Sequence, residues 1–365
     1  MENHDKHPAM LVHRRRPFCA GTPLDRLRQS FFTPNEIFFV RSHGEVPQVD
    51  PASFRLIVDG QVRQPLELSL AELAEPTGRF PRRTTSASLQ CSGLRRRELA
   101  ALAPIPGELP WGSDAIGNAL WEGFALADLL AAAEPLPEAR HVELLGLDSV
   151  ELPGERTAFG GSLPLDKARG PEVLIADRMN GSPLPAAHGF PLRAVVPGWI
   201  GARSVKWLQR ITLRETPSEN HFQARAYRLF PAAVGPEDVK WEDGIPLGEL
   251  TVTCLITHPN PEETINARRV PVQGVALAGG GRGIARVEVS SDGGRNWILA
   301  ELGPQDSPWT WRFWEAAVDL RRGRQEIVAR AWDSAAHTQP ESAAALWNFK
   351  GYMNNSWARV RVLGS

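Results

Sequence analysis

The sequence predicts a two-domain α+β protein, in which a mixed α/β domain is followed by an all-β immunoglobulin-like sandwich domain. Three observations support this prediction. The chain has 365 residues, which is longer than a single hydrophobic core usually allows. It contains 31 prolines and 32 glycines, a composition typical of many turns and short strands. Helical and alternating apolar patterns are mixed in the first part of the chain, whereas alternating patterns dominate the last part.

The first domain, predicted over residues 31–245, is expected to combine strands with short helices. The segment PASFRLIVDG alternates and ends at Gly60, which is typical of a strand followed by a turn. The segments LSLAELAE, with Ser69 near its start, and FALADLLAAAEP have apolar residues at helical spacing. HVELLGLDSVELP and VLIADRMNGSPLP predict strands followed by turns, and the pair Pro197-Gly198 separates two further β-rich runs.

The second domain, predicted over residues 246–365, follows an irregular connection that begins near Thr216. The segments ELTVTCLIT, WTWRFWEAAVDL and QEIVARAWD alternate, and IARVEVSSDGGRNWILAEL contains two such runs around a turn. Turns at these intervals predict an immunoglobulin-like β-sandwich. The glycine cluster at residues 279–283 lacks the ending and context of a phosphate loop, so we expect it to connect two sandwich strands.

The net charge and the hydropathy of the chain argue against nucleic acid and membranes as partners. The formal net charge is -1, which gives no general reason to bind nucleic acid or an anionic membrane. No apolar run approaches the roughly 18 residues that a membrane-spanning helix needs. In the N-terminal arm, predicted over residues 1–30, the basic cluster Arg14–Arg16 is followed by Pro17 and not by an apolar export segment. We therefore expect a cytoplasmic protein without nucleic-acid or membrane partners.

The three cysteines lie far apart and without CxxC spacing, which argues against a disulfide framework and a structural zinc site. Cys254 has aliphatic neighbours on its strand face and is expected to be a buried core residue, whereas Cys19 is expected in a mobile arm. Cys91 ends a strand-like run, before Gly93 and three arginines. It is either a small buried hydrophobe, as most isolated cysteines are, or a thiolate that its cationic neighbours favour for metal binding.

Several motifs in a fixed order support the second interpretation of Cys91. The phrase LQCSGLRRRE resembles the signature around the metal-binding cysteine of the sulfite oxidase family. Further stretches match in the same order, namely FFVRSH, GLDS, HGFPLRAVVPGWIGARSVKWL and HFQARAY. The C-terminal phrases SSDGGRNW and ALWNFKGYMNNSWARV are similar to the dimerisation domain of that family. The resemblance covers the chain from about residue 31 to its end.

The resemblance implies a molybdenum–molybdopterin cofactor with Cys91 as the protein ligand to the metal. It places at the cofactor Phe39, Val40, Arg41, Ser42, His43, Cys91, Asp148, His188, Arg193, Ser204, Val205 and Lys206. These residue types suit the cofactor, because arginine and lysine match an anionic phosphate and Asp and His match the polar edges of the pterin. No stretch resembles a haem-binding domain, so no haem is expected.

The resemblance further implies oxygen-atom transfer that oxidises sulfite to sulfate. The residues at the substrate would be Arg41, Arg96, Tyr227 and Lys350. Lys350 stands where sulfite-oxidising members usually have arginine, so the charge is kept but the forked donor geometry is lost. Leu94 and Asp114 also differ from the residues that are common in the family, which are asparagine and glycine.

Alternatives to sulfite oxidation remain open at this point. A second enzymatic interpretation keeps the cofactor and reduces nitrate or a sulfoxide, and the residues around Tyr352 resemble the nitrate-reductase branch of the family. An interpretation from another class is a non-catalytic binding or assembly protein with a degenerate site. In the enzymatic interpretations we expect a separate electron acceptor or donor, such as a cytochrome, and a homodimer formed through the sandwich domain.

Overall fold

The computed structural model describes residues 5–75, 78–266 and 268–365 of the chain. Its α-helices are short and connect strands. They are α1 (Leu70–Ala74), α2 (Arg96–Ala100), α3 (Leu126–Ala133), α4 (Leu165–Ala168) and α5 (His221–Ala224). Single turns of 3₁₀-helix occur at Leu24–Arg26, Ala186–His188, Gly201–Arg203, Trp241–Asp243 and Ala343–Leu346. In the described residues, no helix is both long enough and apolar enough to cross a membrane.

The strands before residue 250 belong to the first domain. They are β1 (Leu11–Arg14), β2 (Cys19–Gly21), β3 (Leu56–Gly60), β4 (Leu66–Leu68), β5 (Arg82–Gln90), β6 (Ile116–Ala125), β7 (His141–Leu152), β8 (Glu155–Pro164), β9 (Leu174–Met179), β10 (Ser182–Pro183), β11 (Arg193–Val195), β12 (Leu208–Arg214), β13 (Arg228–Leu229) and β14 (Ile245–Pro246).

Two five-stranded sheets form the frame of this domain. One has the strand order β10-β9-β6-β5, with β11 paired to β9, and the other has the order β4-β3-β12-β7-β8. Strand β12 runs parallel to β3 and antiparallel to β7, so the second sheet is mixed. Local signals act as predicted: Ser69 begins α1 in a capping box with Glu72, in which each side chain bonds the other residue's backbone N–H.

The remaining strands form the predicted sandwich. They are β15 (Thr253–His258), β16 (Glu263–Ile265), β17 (Arg269–Leu277), β18 (Ile284–Ser290), β19 (Ile298–Leu299), β20 (Glu301–Leu302), β21 (Arg312–Asp319), β22 (Gly323–Asp333) and β23 (Ala358–Gly364). One sheet has the order β15-β17-β21-β20 and the other the order β16-β23-β22-β18-β19. Cys254 is fully buried in the core between them, and the glycine cluster at residues 279–283 connects β17 to β18, as expected.

The N-terminal segment differs from its prediction. The expectation that Cys19 lies in a mobile arm is wrong, because β1 and β2 form a hairpin and Cys19 is completely buried. Ala20 exchanges two backbone hydrogen bonds with Val40, which ties this hairpin to the segment that precedes His43. Residues 1–4 of the predicted arm lie outside the described residues.

The hairpin of β1 and β2 also explains the aspartate at position 114, where glycine is common in the resembled family. The imidazole Nε2 of His13 lies 2.5 Å from Asp114 Oδ2, and both side chains are almost fully buried. The ring of His13 also packs edge-on against Trp111, with 4.5 Å between ring centroids. Asp114 is therefore a partner of the N-terminal hairpin.

The region from Thr216 to Glu249 is irregular, as predicted, but it is not a free linker. It contains only α5, two short strands and one turn of 3₁₀-helix among elements of regular structure. Phe222 and Tyr227 are buried in the core of the first domain. This region therefore contributes side chains to the inner surface of that domain.

Candidate active site

A cleft in the first domain collects most of the residues that the resemblance assigned to the cofactor. It contains about 690 Å³ of empty space, including the part that is open to solvent. Its lining includes Phe39, Val40, Arg41, Ser42, His43, Cys91, Asp148, His188, Arg193, Ser204, Lys206 and Tyr227. Val205 is fully buried beside this lining, and Arg96 and Lys350 lie outside it. The roles of these residues remain predictions.

Cys91 follows β5 directly and carries a free thiol that is 8% exposed. Its backbone N–H bonds Ala115 O at 3.0 Å, and its Sγ accepts the N–H of Gly93 at 3.4 Å. Burial raises the pKa of this thiol and outweighs the opposing effect of Arg96 and the Gly93 N–H. Arg96 therefore favours the thiolate, as expected, but burial keeps the thiol protonated in the metal-free protein, and a metal ion would have to displace the proton.

The three arginines after Cys91 do not act together, which limits their effect on the thiol. Arg95 adopts a left-handed backbone conformation with φ of 61°, and its side chain turns to the sandwich domain. There it bonds the carbonyls of Ser356 and Trp357 and the carboxylate of Glu98. Arg97 is exposed, so Arg96 is the member of this triplet that affects the thiol.

Arg41 supplies a cation to the same cleft. Its Nη1 bonds the carbonyl oxygen of Ser42 and lies 3.8 Å from the Sγ of Cys19. Burial opposes its charge, but the neighbouring Tyr227 and the thiols of Cys19 and Cys91 raise its pKa. Arg41 therefore stays protonated at every pH at which the protein folds.

Three further cations lie close together around Ala187 and His188. Lys206 donates to Ser42 Oγ at 2.8 Å and to Ala187 O at 2.9 Å. The guanidinium of Arg193 is held by backbone carbonyls and lies over the ring of Trp121. Burial, followed by the charge of Arg193, lowers the pKa of Lys206 to about 7. A bound anion would relieve this repulsion.

The third cation, Lys6, was missed in the sequence. Its Nζ lies 2.5 Å from the carbonyl of Asn35, 2.9 Å from that of Phe38 and 2.5 Å from His188 Nε2. Burial and then the charge of Lys206 lower its pKa to about 7. While it is protonated, Lys6 donates to Nε2 of His188, so that imidazole carries its own proton on Nδ1. Burial keeps His188 neutral by lowering its pKa well below the ordinary value.

Buried acceptors without partners indicate that this cleft is built for a polar group. Asp148 Oδ1 and Ser92 Oγ belong to residues of the cleft lining, and both atoms are buried and make no hydrogen bond within the described residues. Burial raises the pKa of Asp148, against the effect of Lys206. Since buried polar atoms are normally paired, these atoms fit the N–H donors of a bound pterin.

The side chains of the cleft also fit a metal ion that receives most of its ligands from a cofactor. Within the described residues, no three side chains of the His, Cys, Asp or Glu type cluster closely enough to hold a metal ion. Cys91 alone offers a soft thiol at the cleft, so further sulfur ligands would have to come from the cofactor. A dithiolene cofactor with one protein thiolate matches this arrangement.

Tyr227 and His43 form a hydrogen-bonded pair beside Cys91. The Tyr227 hydroxyl lies 3.0 Å from His43 Nε2, and the imidazole stacks on Phe159 at 4.6 Å between ring centroids. Burial raises the pKa of Tyr227 and lowers that of His43 well below its ordinary value. Both groups are therefore uncharged near neutral pH, and the phenol keeps its proton. The ring of Tyr227 also stacks on Tyr352, with 5.5 Å between centroids.

Arg96 and Lys350 lie beside the cleft and share a carboxylate that was not identified from the sequence. Glu108 Oε1 lies 2.5 Å from Lys350 Nζ, and Glu108 Oε2 lies 3.4 Å from an Nη of Arg96. Burial opposes ionisation of Glu108, but Arg96 and then Lys350 lower its pKa below the ordinary value. Two of the three cations predicted to bind substrate, Arg96 and Lys350, are therefore paired with an internal anion.

Comparisons with known proteins cover both domains. The family described as "Oxidoreductase molybdopterin binding domain" matches residues 43–222, and the family described as "Mo-co oxidoreductase dimerisation domain" matches residues 246–364. The sulfite oxidase of Gallus gallus is 41% identical over 364 residues, which cover 97% of this chain and 78% of that protein. The mitochondrial sulfite oxidase of Homo sapiens is 42% identical over 368 residues, covering 98% of this chain and 66% of that protein.

A solved structure agrees with the fold. The sulfane dehydrogenase SoxCD from Paracoccus pantotrophus superposes with a TM-score of 0.80 and 26% sequence identity, covering 98% of this chain and 88% of that chain. This likeness confirms the predicted fold class, a mixed domain followed by a β-sandwich. With both family matches and identities above 40% over nearly the whole chain, the protein belongs to the sulfite oxidase family of molybdopterin-dependent oxidoreductases.

Proposed function

We propose that this protein oxidises sulfite to sulfate and passes the electrons to a separate acceptor. Sulfite and water give sulfate, two protons and two electrons, so an oxidant such as a cytochrome must accept the electrons. The molybdenum cofactor, when bound, supplies the oxygen-atom transfer. The observation that carries the proposal is the free Cys91 thiol in a cleft whose walls also contain Arg41 and Tyr227.

The chain's own residues would hold the cofactor in three ways. Cys91 would ligate the metal as a thiolate after losing its proton. Lys206 and Arg193 form a buried cationic cluster that suits the phosphate group. The unpaired Oδ1 of Asp148 and the Nδ1–H of His188 would bond polar edges of the pterin.

The substrate end of the cleft would bind an oxyanion and position a proton donor. Arg41 remains charged there and offers a guanidinium to the anion. Tyr227 keeps its phenolic proton because burial raises its pKa, and His43 fixes the orientation of its hydroxyl. With the Nε2–H of His43 donating to the phenolic oxygen, the Tyr227 hydroxyl would donate its own proton to the bound oxyanion and hold the proton whose movement accompanies electron transfer.

A second candidate function is the reduction of nitrate or a sulfoxide at the same site. The specific observation in its favour is that Glu108 partly neutralises Arg96 and Lys350, and a monoanion or neutral substrate needs less positive charge than a sulfite dianion. The non-catalytic interpretation, a binding or assembly protein with a degenerate site, is weakened by the intact set of Cys91, Arg41 and Tyr227.

The assembly and partners are also part of the proposal. The match of residues 246–364 to a dimerisation domain supports a homodimer formed through the sandwich. We propose that the chain works without a haem of its own and in the cytoplasm, with a separate electron-transfer protein as its partner. The human relative is a mitochondrial protein, so location has to be tested by fractionation of the source cells.

The decisive experiment combines metal analysis with activity. Wild-type protein and the variants Cys91→Ser and Cys254→Ser would be purified from a host that makes the cofactor. We expect near-stoichiometric molybdenum and sulfite-dependent ferricyanide reduction in the wild type and in Cys254→Ser, whose altered thiol is buried in the sandwich core. Cys91→Ser should lose the activity.

Each other outcome has a defined meaning. Molybdenum in the wild type without sulfite turnover, but with turnover of nitrate or methionine sulfoxide, would replace the first function by the second. Full activity in Cys91→Ser would contradict the role of this thiol as a metal ligand. Unchanged turnover in Tyr227→Phe, with cofactor content equal to that of the wild type, would remove Tyr227 from the proposed chemistry.

A further inference from the structure

Glu108 lies in the segment between α2 and β6 and contacts both cations that adjoin the substrate end of the cleft. Its Oε1 lies 2.5 Å from Lys350 Nζ and its Oε2 lies 3.4 Å from Arg96 Nη2. The side chain of Glu108 is only 15% exposed, and that of Lys350 is 21% exposed. At this depth the charges are weakly screened by water, so the pair affects any anion that binds nearby.

Arg96 cannot move away from this carboxylate. Its Nε donates to the carbonyls of Lys350 and Gly351 at 3.0 and 3.2 Å, and its Nη1 donates to Leu109 O at 2.9 Å. A Cβ added at Gly93 would lie 2.6 Å from the guanidinium carbon of Arg96, so the surroundings are closely packed. The Nη2 of Arg96 contacts Glu108. Lys350, which is partly exposed, is therefore the more movable of the two cations.

The charge of Glu108 also reaches the reactive side chains of the cleft. After burial, Glu108 is the next cause that raises the pKa of Tyr352, and it contributes to raising the pKa of Tyr227. Arg96 and Lys350 keep Glu108 itself ionised. This carboxylate therefore lies close enough to oppose the binding of negative charge at Arg96 and Lys350.

We propose that Glu108 determines the anion selectivity of the substrate pocket, because it is an internal counter-ion with which a bound oxyanion must compete for Lys350 and Arg96. This inference rests on the proposed function for the position of the substrate. Arg41, Arg96 and Lys350 supply three positive charges, and Glu108 cancels one of them. The repulsion from Glu108 acts twice as strongly on a dianion as on a monoanion at the same position. Glu108 thus weakens the binding of sulfite and sulfate more than that of nitrate.

The test compares Glu108→Gln with the wild type and with Glu172→Gln, all as cofactor-loaded protein. Glu172 is a matched control, because it pairs with Lys167 at the same 2.5 Å and is similarly buried at 13% exposure, but it lies outside the cleft lining. Sulfate and nitrate are the probes, measured both by thermal shift and by competition with sulfite. Glu108→Gln should bind sulfate about tenfold more tightly and nitrate about threefold more tightly. Glu172→Gln should change neither affinity.

The outcomes separate this inference from the proposed function. Unchanged or equally changed affinities for sulfate and nitrate in Glu108→Gln would overturn the inference, even if the enzyme oxidises sulfite. Absence of sulfite turnover in the wild type would contradict the proposed function, while the thermal-shift titrations would still measure the effect of Glu108. If Glu108→Gln fails to fold, Lys350→Gln gives the second test. This variant removes the cation that pairs with Glu108, so sulfate should bind at least tenfold more weakly. Unchanged sulfate binding would overturn the inference.

Discussion

Raising the pH of the cofactor-free protein from about 7 to about 8.5 should stabilise it. Lys6 and Lys206 are buried close to each other at the proposed phosphate end of the cleft, and both have their pKa lowered from 10.5 to about 7, mainly by burial. In the unfolded chain both amines would stay protonated throughout this interval. The folded protein releases a proton there and the unfolded chain does not, so the free energy of unfolding rises with pH.

The size of this effect follows from the proton that is released. We count Lys6 alone, because it is only 4% exposed, whereas Lys206 lines the cleft and is partly screened by water. When the folded protein releases one proton that the unfolded chain keeps, over about 1.5 pH units, the free energy of unfolding rises by roughly 2 kcal/mol. For a domain of this size, that corresponds to a rise of about 4 to 8 °C in the midpoint of thermal unfolding.

The histidines and cysteines with shifted pKa values titrate mainly outside this pH interval. His43 and His188 have lowered pKa values, so their contributions to stability change below about pH 7. Burial raises the pKa of the thiols of Cys91 and Cys254, and these groups destabilise the fold only as the pH rises above about 8.5.

Thermal unfolding of protein from a cofactor-deficient host, followed by circular dichroism across this interval, measures the effect. The Lys6→Met variant should lose most of the rise in midpoint. Cofactor-loaded wild type should also show a flatter profile, because a bound anion restores the protonated state of both amines. A midpoint that stays constant or falls with pH in the cofactor-free wild type would refute the reasoning about this cluster.

Three further outcomes follow from single contacts. Lys6→Met should lower molybdenum retention during dialysis by about tenfold, measured by metal analysis, because it removes a cation beside the predicted phosphate position. His43→Asn should reduce kcat about tenfold with unchanged molybdenum content, since Tyr227 loses its fixed partner. Arg95→Met should lower the free energy of unfolding by about 3 kcal/mol, measured by chemical denaturation, whereas the exposed Arg97→Met should change it by less than about 0.5 kcal/mol.

The parts of the fold that were predicted correctly depend on neighbours in sequence. The capping pair of Ser69 and Glu72 determines where α1 begins, and the alternating pattern around Cys254 predicts the strand that buries it. The position of Cys91, directly after β5, was predictable for the same reason, because the local sequence shows a strand that is followed by a glycine turn. Such signals survive because the backbone geometry of a helix or a strand fixes which nearby residues share a face.

The contacts that were missed are made between residues far apart in the chain. Lys6 and His188 are separated by 182 positions, and no local pattern around Lys6 distinguishes it from a solvated surface lysine. The consecutive arginines were treated as one cationic group, but the left-handed conformation of Arg95 sends neighbouring side chains into different surroundings. Glu108 follows prolines in an irregular segment, where periodicity gives no information about side-chain direction.

The two ends of the cleft differ in how their positive charge is compensated, and this difference matches two kinds of anion. At the Lys206 end, burial and mutual repulsion exceed the compensation by Asp148, as the lowered pKa of Lys206 shows. Such a cluster is stabilised by an anion that stays bound, as a resident cofactor does. At the Lys350 end, Glu108 already compensates part of the charge, so an incoming anion gains less by binding. Weak binding suits this end, because a product with the same charge as the substrate must leave after each turnover.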